Sequence, residues 1–258
     1  MKSIWTGSIG FGLVNIPVKL YSAVQDSSLD FDMLDKKDNA RIRFKRVNER
    51  TGKEVPWEGI AKAFMVNDKY VVLSEEDFER ASPENTKTIE ITQFVNATEI
   101  NANYFELPYY VEPDKSGARA YTLLKDALKK TGKAGVGSFI MREREHLCVV
   151  REQDGILILN KIRFAQELRP AKEIKVPVAK PKPQELKMAV NLINQLTTAF
   201  DISSYKDEYS AKLMKVIRQK SKGALKPYQP MKVVYSKTED LMAQLKASLD
   251  GGKRKKAS

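Results

Sequence analysis

Trp5-Thr6-Gly7-Ser8-Ile9-Gly10-Phe11-Gly12-Leu13-Val14-Asn15-Ile16-Pro17-Val18 opens the chain and decides how the rest is read. Glycines at 7, 10 and 12 punctuate an apolar run, and the segment reads as strand, not helix. It is not a phosphate loop: the glycine spacing is wrong and no Lys-Ser/Thr pair follows. Strand-like runs recur at 41–47, 64–66, 70–73, 89–95, 109–111, 138–141, 147–150 and 156–164. Short β-rich runs separated by Gly, Asn, Asp and Pro predict a barrel or sandwich in preference to a parallel sheet.

Two helices interrupt this pattern. Ser74-Glu75-Glu76-Asp77 has capping-box spacing and opens a short helix that must end near Pro83. Tyr121, Leu124 and Leu128 share one helical face, which Gly132 terminates. Composition changes at 171–183, where prolines at 177, 181 and 183 stand among lysines in an extended connector. Beyond it Leu186, Val190, Ile193, Leu196 and Phe200 recur at helical spacing. A second helix carries Tyr209, Leu213 and Val216 and should end at Gly223. A last short helix starts at Thr238-Glu239-Asp240, carries Leu241, Met242, Leu245 and Leu249, and stops at Gly251-Gly252 ahead of a basic tail.

The 258 residues include 45 Lys+Arg against 33 Asp+Glu, a formal charge of +12. That excess favours a polyanionic partner without separating DNA from RNA or an anionic surface. No apolar run reaches the ~18 residues of a membrane span, and no signal-peptide pattern is present, so no membrane partner is expected. Cys148 is the sole cysteine, which forbids an intrachain disulfide and fits a cytoplasmic location.

An active site finds little support. His146 is the only histidine and lies in a charged turn or strand start, where a structural or surface role outweighs catalysis. Cys148 sits in Leu147-Cys148-Val149-Val150 and reads as a small buried hydrophobe. The acidic run Glu75-Glu76-Asp77 suits the first turn of a helix better than a metal site. No catalytic residue, metal ligand or cofactor is expected.

The strongest chemical signal is Arg41-Ile42-Arg43-Phe44-Lys45-Arg46-Val47. In a strand Arg41, Arg43 and Lys45 share one face at roughly 6–7 Å intervals, close to phosphate spacing along DNA. Ile42, Phe44 and Arg46 take the other face, and Arg50 and Lys53 carry the charge into the next turn. A solvated edge guarded by charge fits the same pattern equally well. The cations between 206 and 226 spread around their helix, as on a solvated face. Lys253, Arg254, Lys255 and Lys256 form a tail suited to weak phosphate contact.

Several landmarks together carry a resemblance. They are the opening 5–18, Arg46-Val47-Asn48, Thr51-Gly52-Lys53-Glu54-Val55-Pro56-Trp57 and Tyr70-Val71-Val72-Leu73. Tyr109-Tyr110-Val111-Glu112-Pro113-Asp114-Lys115, Arg144-Glu145-His146-Leu147 and Ile162-Arg163-Phe164-Ala165 follow in order. Glu185-Leu186-Lys187-Met188-Ala189, Tyr205-Lys206-Asp207-Glu208-Tyr209 and the helix at 240–249 complete the set. In this order they resemble bacterial Ku proteins of non-homologous end joining.

The resemblance implies a mainly β fold with α, a Ku-type β-barrel core over 1–184 with a DNA-encircling ribbon at about 31–66. It further implies a helical arm over 185–226 for dimerisation and a C-terminal segment over 227–258. The function it implies is sequence-independent binding of double-stranded DNA ends by a ring-shaped homodimer, nucleoid-associated, which recruits an ATP-dependent DNA ligase. Arg41, Arg43, Lys45, Arg46, Arg50 and Lys53 are then the DNA-binding candidates, and Leu241, Met242, Leu245 and Leu249 the ligase-binding ones. The arm and the last helix could equally dock on the chain's own core. Many family members carry a longer lysine-rich extension than this chain does. The competing reading is a general single-strand or RNA-binding basic β-barrel.

Overall fold

A computed structural model describes residues 1–81, 87–142 and 144–223, together with 242, 244, 245 and 248. Two compact units emerge, Met1–Glu173 and Ile174–Ser258.

The first unit is built on strands β1 (Trp5–Phe11) and β2 (Val14–Ser22), joined by a tight turn in which Gly12 adopts φ 56°. Next come the hairpin β3 (Lys62–Val66) and β4 (Lys69–Leu73) and helix α1 (Glu75–Ala81). Ser74 and Asp77 cap α1 reciprocally: Ser74 N–H and Oγ donate to the Asp77 carboxylate, and Asp77 N–H donates back to Ser74 Oγ. The expected stop near Pro83 lies outside the described residues. Strands β5 (Thr88–Asn96) and β6 (Phe105–Pro113) lead into helix α2 (Ala118–Thr131). Strands β7 (Lys133–Met141), β8 (Arg144–Gln153) and β9 (Ile156–Ile162) complete the unit.

Seven of these strands close a barrel in the order β1-β2-β6-β9-β8-β7-β5, which resolves the choice between barrel and sandwich. Every neighbouring pair is antiparallel except β1 and β5, the parallel seam where Ile9 lies beside Ile89. Alternation fills the interior. Ile16, Val18 and Leu20 of β2 turn inward, as do Leu157 and Leu159 of β9 and Cys148 and Val150 of β8. A second apolar cluster of Ala134, Val149 and Ile162 is partly covered by Ile100, Tyr104 and Phe105. Ile158 and Asn160 are also buried, so the middle of β9 is covered on both faces, with the Asn160 amide oxygen accepting from Arg151 Nε at 3.0 Å.

The stripe expected on α2 does its packing: Tyr121, Leu124 and Leu128 join the barrel core, and Gly132 ends the helix at φ 64°. At the β5–β7 pair the backbones approach so closely that a Cβ on Gly137 would lie 1.9 Å from the Glu90 carbonyl oxygen.

In the second unit, helix α3 (Pro183–Leu196) begins at Pro183, ahead of Glu185, because proline suits the first helical position and Glu185 returns its carboxylate to the Lys182 N–H at 2.8 Å. It ends at Leu196, so Phe200 falls outside the expected helix. Helix α4 (Glu208–Ser221) is capped by Asp207, which accepts the Ser210 N–H, and Gly223 follows at φ 67°. Leu186, Val190, Ile193 and Leu196 of α3 all remain exposed.

Candidate nucleic-acid interface

Between β2 and β5 the chain leaves the barrel for residues 23–87, and the stretch 30–61 is almost wholly exposed. The expected strand at 41–47 does not form as a continuous ladder. Instead, isolated antiparallel bridges fix its two ends, Leu34 with Arg41 and Val47 with Glu54. Ile42 N–H donates to Met33 O and Val55 N–H to Arg46 O, so the segment is the middle of a loose three-stranded ribbon. Pairing at the ends alone leaves 43–45 without backbone rungs among the described residues, which is why a strand assignment fails here while the path stays ribbon-like.

The turns follow local side-chain chemistry. Asp35 and Asp38 accept the N–H groups of Lys37 and Ala40 in the first turn. Asn48 Oδ1 accepts from Arg50 and Thr51 in the second, where Gly52 adopts φ 67°.

Each candidate cation has its own surroundings. Arg41 Nη2 lies 2.7 Å from Asp32 Oδ2, and Lys45 Nζ lies 2.7 Å from Glu54 Oε2; all four side chains are exposed. Arg46 stacks its guanidinium over the Trp57 ring, 4.5 Å from the centroid. Arg43, Arg50 and Lys53 have no ion-pair partner among the described residues. The structure thus brings Arg41, Arg43 and Lys45 onto one exposed segment and places Arg50 and Lys53 at its second turn.

Sequence reasoning missed the carboxylates and the exposed aromatics other than Phe44. Phe31, Phe44 and Trp57 are 60%, 80% and 67% exposed on this ribbon, and Phe64 and Tyr70 are exposed on the β3–β4 hairpin. The signal available was proximity in sequence: each acid stands nine residues from its cation, one turn away along the ribbon.

Elsewhere the chemistry is structural. Burial pushes the Cys148 thiol up to about 12, which makes it unreactive as a nucleophile. His146 lies in β8, packs its ring on Phe139 at 5.8 Å, and is held below its ordinary range by burial and then by Lys161. Lys161 and Arg163 both bridge Glu106, at 3.0 and 3.3 Å. Among the described residues no group of three or more His, Cys, Asp or Glu is placed to hold a metal ion. No helix of the described residues is long and apolar enough to cross a membrane.

Of the last helix, Met242 and Leu245 are helical and partly buried, whereas Leu241 and Leu249 lie outside the described residues. So do Lys253, Arg254, Lys255 and Lys256.

Residues 10–188 match the sequence family described as the Ku70/Ku80 beta-barrel domain, a span that runs from the end of β1 through the other barrel strands and the ribbon to the start of α3. The chain belongs to the Ku family. Similar proteins extend the Ku match over nearly the whole chain. "Non-homologous end joining protein Ku" of Opitutus terrae is 43% identical, covering 100% of this chain and 96% of that protein. Proteins of the same name from Pseudomonas aeruginosa and Archaeoglobus fulgidus are 36% and 37% identical over 98% of this chain, covering 91% and 100% of their own length. In this Ku chain the closed barrel is the scaffold, and the 30–61 ribbon is the exposed segment that leaves it between β2 and β5.

Proposed function

We propose that this Ku-family chain binds double-stranded DNA ends without sequence preference, as a ring-shaped homodimer that protects the end and recruits an ATP-dependent DNA ligase for double-strand break repair. The observation that carries the reading is the 30–61 ribbon, an exposed, cation-bearing insertion in a barrel of the Ku family. Arg43, Arg50 and Lys53, which have no ion-pair partner among the described residues, offer their charge to phosphate, with Arg41, Lys45 and Arg46 beside them. Contacts of this kind hold position on a duplex and read no base edges.

Homodimerisation is supported by unpartnered apolar surface. Phe31, Phe44, Phe64 and Tyr70 in the first unit and Leu186, Val190, Ile193 and Leu196 of α3 in the second are large apolar side chains left exposed in this chain. A two-fold partner would cover the same surfaces on both copies. Ligase recruitment falls to the helix bearing Leu241, Met242, Leu245 and Leu249, and the basic tail adds weak phosphate contact. The protein works by binding, without catalysis of its own, in the cytoplasm on the nucleoid.

The test compares linear duplex with the same duplex as a covalently closed circle at matched salt. Binding to the linear form alone, retained after the ends are blocked, supports a threaded ring. Equal binding to both forms removes it. The exposed Phe44 and Trp57 give one specific ground for the alternative, a single-strand or RNA-binding barrel whose aromatics stack on bases. Competition by single strands at equal nucleotide concentration separates the two readings.

A further inference from the structure

The cations of the ribbon are not equally available. Arg41 and Lys45 each hold a carboxylate at 2.7 Å, while Arg43 between them holds none among the described residues. The two acids come from opposite sides: Asp32 precedes the turn at 35–40, and Glu54 follows the turn at 48–53. The bridges Leu34–Arg41 and Val47–Glu54 that position the cations therefore also deliver an acid to each outer one.

We propose that Asp32 and Glu54 are built-in counterions that set how strongly, and with what salt dependence, the ribbon grips a duplex. This rests on reading the ribbon as a duplex-binding surface. A cation that neutralises a phosphate displaces condensed ions from DNA, and the salt dependence of binding counts those ions. A cation that arrives with its own carboxylate brings no net charge and displaces few. Arg41 and Lys45 then act as directional hydrogen-bond donors to phosphate, and Arg43 supplies the ionic grip. Exposed pairs of this kind are weak enough to open at a phosphate, so the acids moderate binding without blocking it. The result is a surface that holds a polyanion of any sequence yet releases it more readily than three free cations would.

The experiment titrates a linear duplex with the full-length protein across a range of salt, using the parent, the double variant Asp32→Asn/Glu54→Gln, Arg43→Gln and Arg41→Gln. The double variant should bind about ten-fold tighter at ~0.15 M salt, with a log–log slope steeper by about 1–2. Arg43→Gln should flatten the slope by about 0.9, while Arg41→Gln, which leaves the Asp32 carboxylate unopposed, should weaken binding until Asp32→Asn is added to it. If the double variant matches the parent in affinity and slope while Arg43→Gln still weakens binding, the counterion role is wrong and the duplex-binding ribbon stands. If neither the double variant nor Arg43→Gln changes the parent's binding, or the parent binds no duplex, the ribbon reading fails and this inference falls with it.

Discussion

The Tyr121 hydroxyl accepts the Leu157 N–H at 2.8 Å, fastening α2 to the start of β9. The same hydroxyl donates to the Val111 carbonyl at 2.9 Å, so one oxygen joins a helix to two adjacent strands. Burial raises the phenol above its ordinary range, against the opposing pull of the Leu157 N–H. Tyr121→Phe would leave a buried N–H and a buried carbonyl without this partner. The expected loss is about 1–3 kcal/mol of barrel stability, read as a lower midpoint in thermal or urea unfolding.

Gly137→Ala should damage the β5–β7 pair. Its Cβ would fall 1.9 Å from Glu90 O, a backbone atom that cannot move without opening the sheet. A cost of about 2–4 kcal/mol is expected. Gly10→Ala is the control, since its Cβ would meet only the Thr88 methyl at 3.0 Å; unfolding midpoints of the two variants check the contrast.

His146 should make stability depend on pH. Burial and Lys161 depress its folded pKa below the unfolded value of about 6.5, with Arg144 adding to the effect and Glu106 opposing it. The unfolded chain therefore binds the proton more readily, and stability rises with pH through this window and falls as pH drops below it. Thermal midpoints at about pH 7.5 and 5.5 should differ less in His146→Gln than in the parent. An unchanged difference would mean that other groups set the acid sensitivity.

Charge reversal on the ribbon should separate Arg43 from Lys45. Arg43→Glu removes an unpaired cation and should weaken duplex binding by about ten-fold or more at ~0.15 M salt. Lys45→Gln removes a cation that Glu54 already neutralises and should cost less. Both side chains are exposed, so circular dichroism and unfolding midpoints should stay at the parent's values.

Much of the barrel was legible in the chain because its signals are local. The Tyr121, Leu124, Leu128 stripe, the Ser74 cap and the stop at Gly132 each depend on residues within a turn or two. The apolar run 147–150 lies in a strand, and Cys148 is the buried small residue its neighbours imply. The ribbon was less legible. Its identity as a basic exposed segment could be read, yet strand alternation at 41–47 overstated its regularity. Which cations remain free depends on cross-ribbon register, and no pattern within 41–47 encodes that Asp32 and Glu54 arrive opposite. The aromatics divide in the same way: Tyr109 and Phe139 are buried in the barrel, whereas Phe31, Phe44 and Trp57 are exposed on the ribbon.

The barrel's strand order also governs how the insertion can be severed. Strand β1 sits between β2, where the insertion departs, and β5, where it returns, so its two feet are separated laterally by about two strand spacings, ~10 Å, and are offset along β1 by the register that pairs Leu20 with Trp5 and Thr88 with Ser8. Each foot is hydrogen-bonded to β1, and neither relies on the insertion for its place in the sheet. A single peptide cleavage at the exposed Asn48–Gly52 turn would thus leave the barrel whole, as a non-covalent pair of fragments. The chain's topology would change while its fold did not.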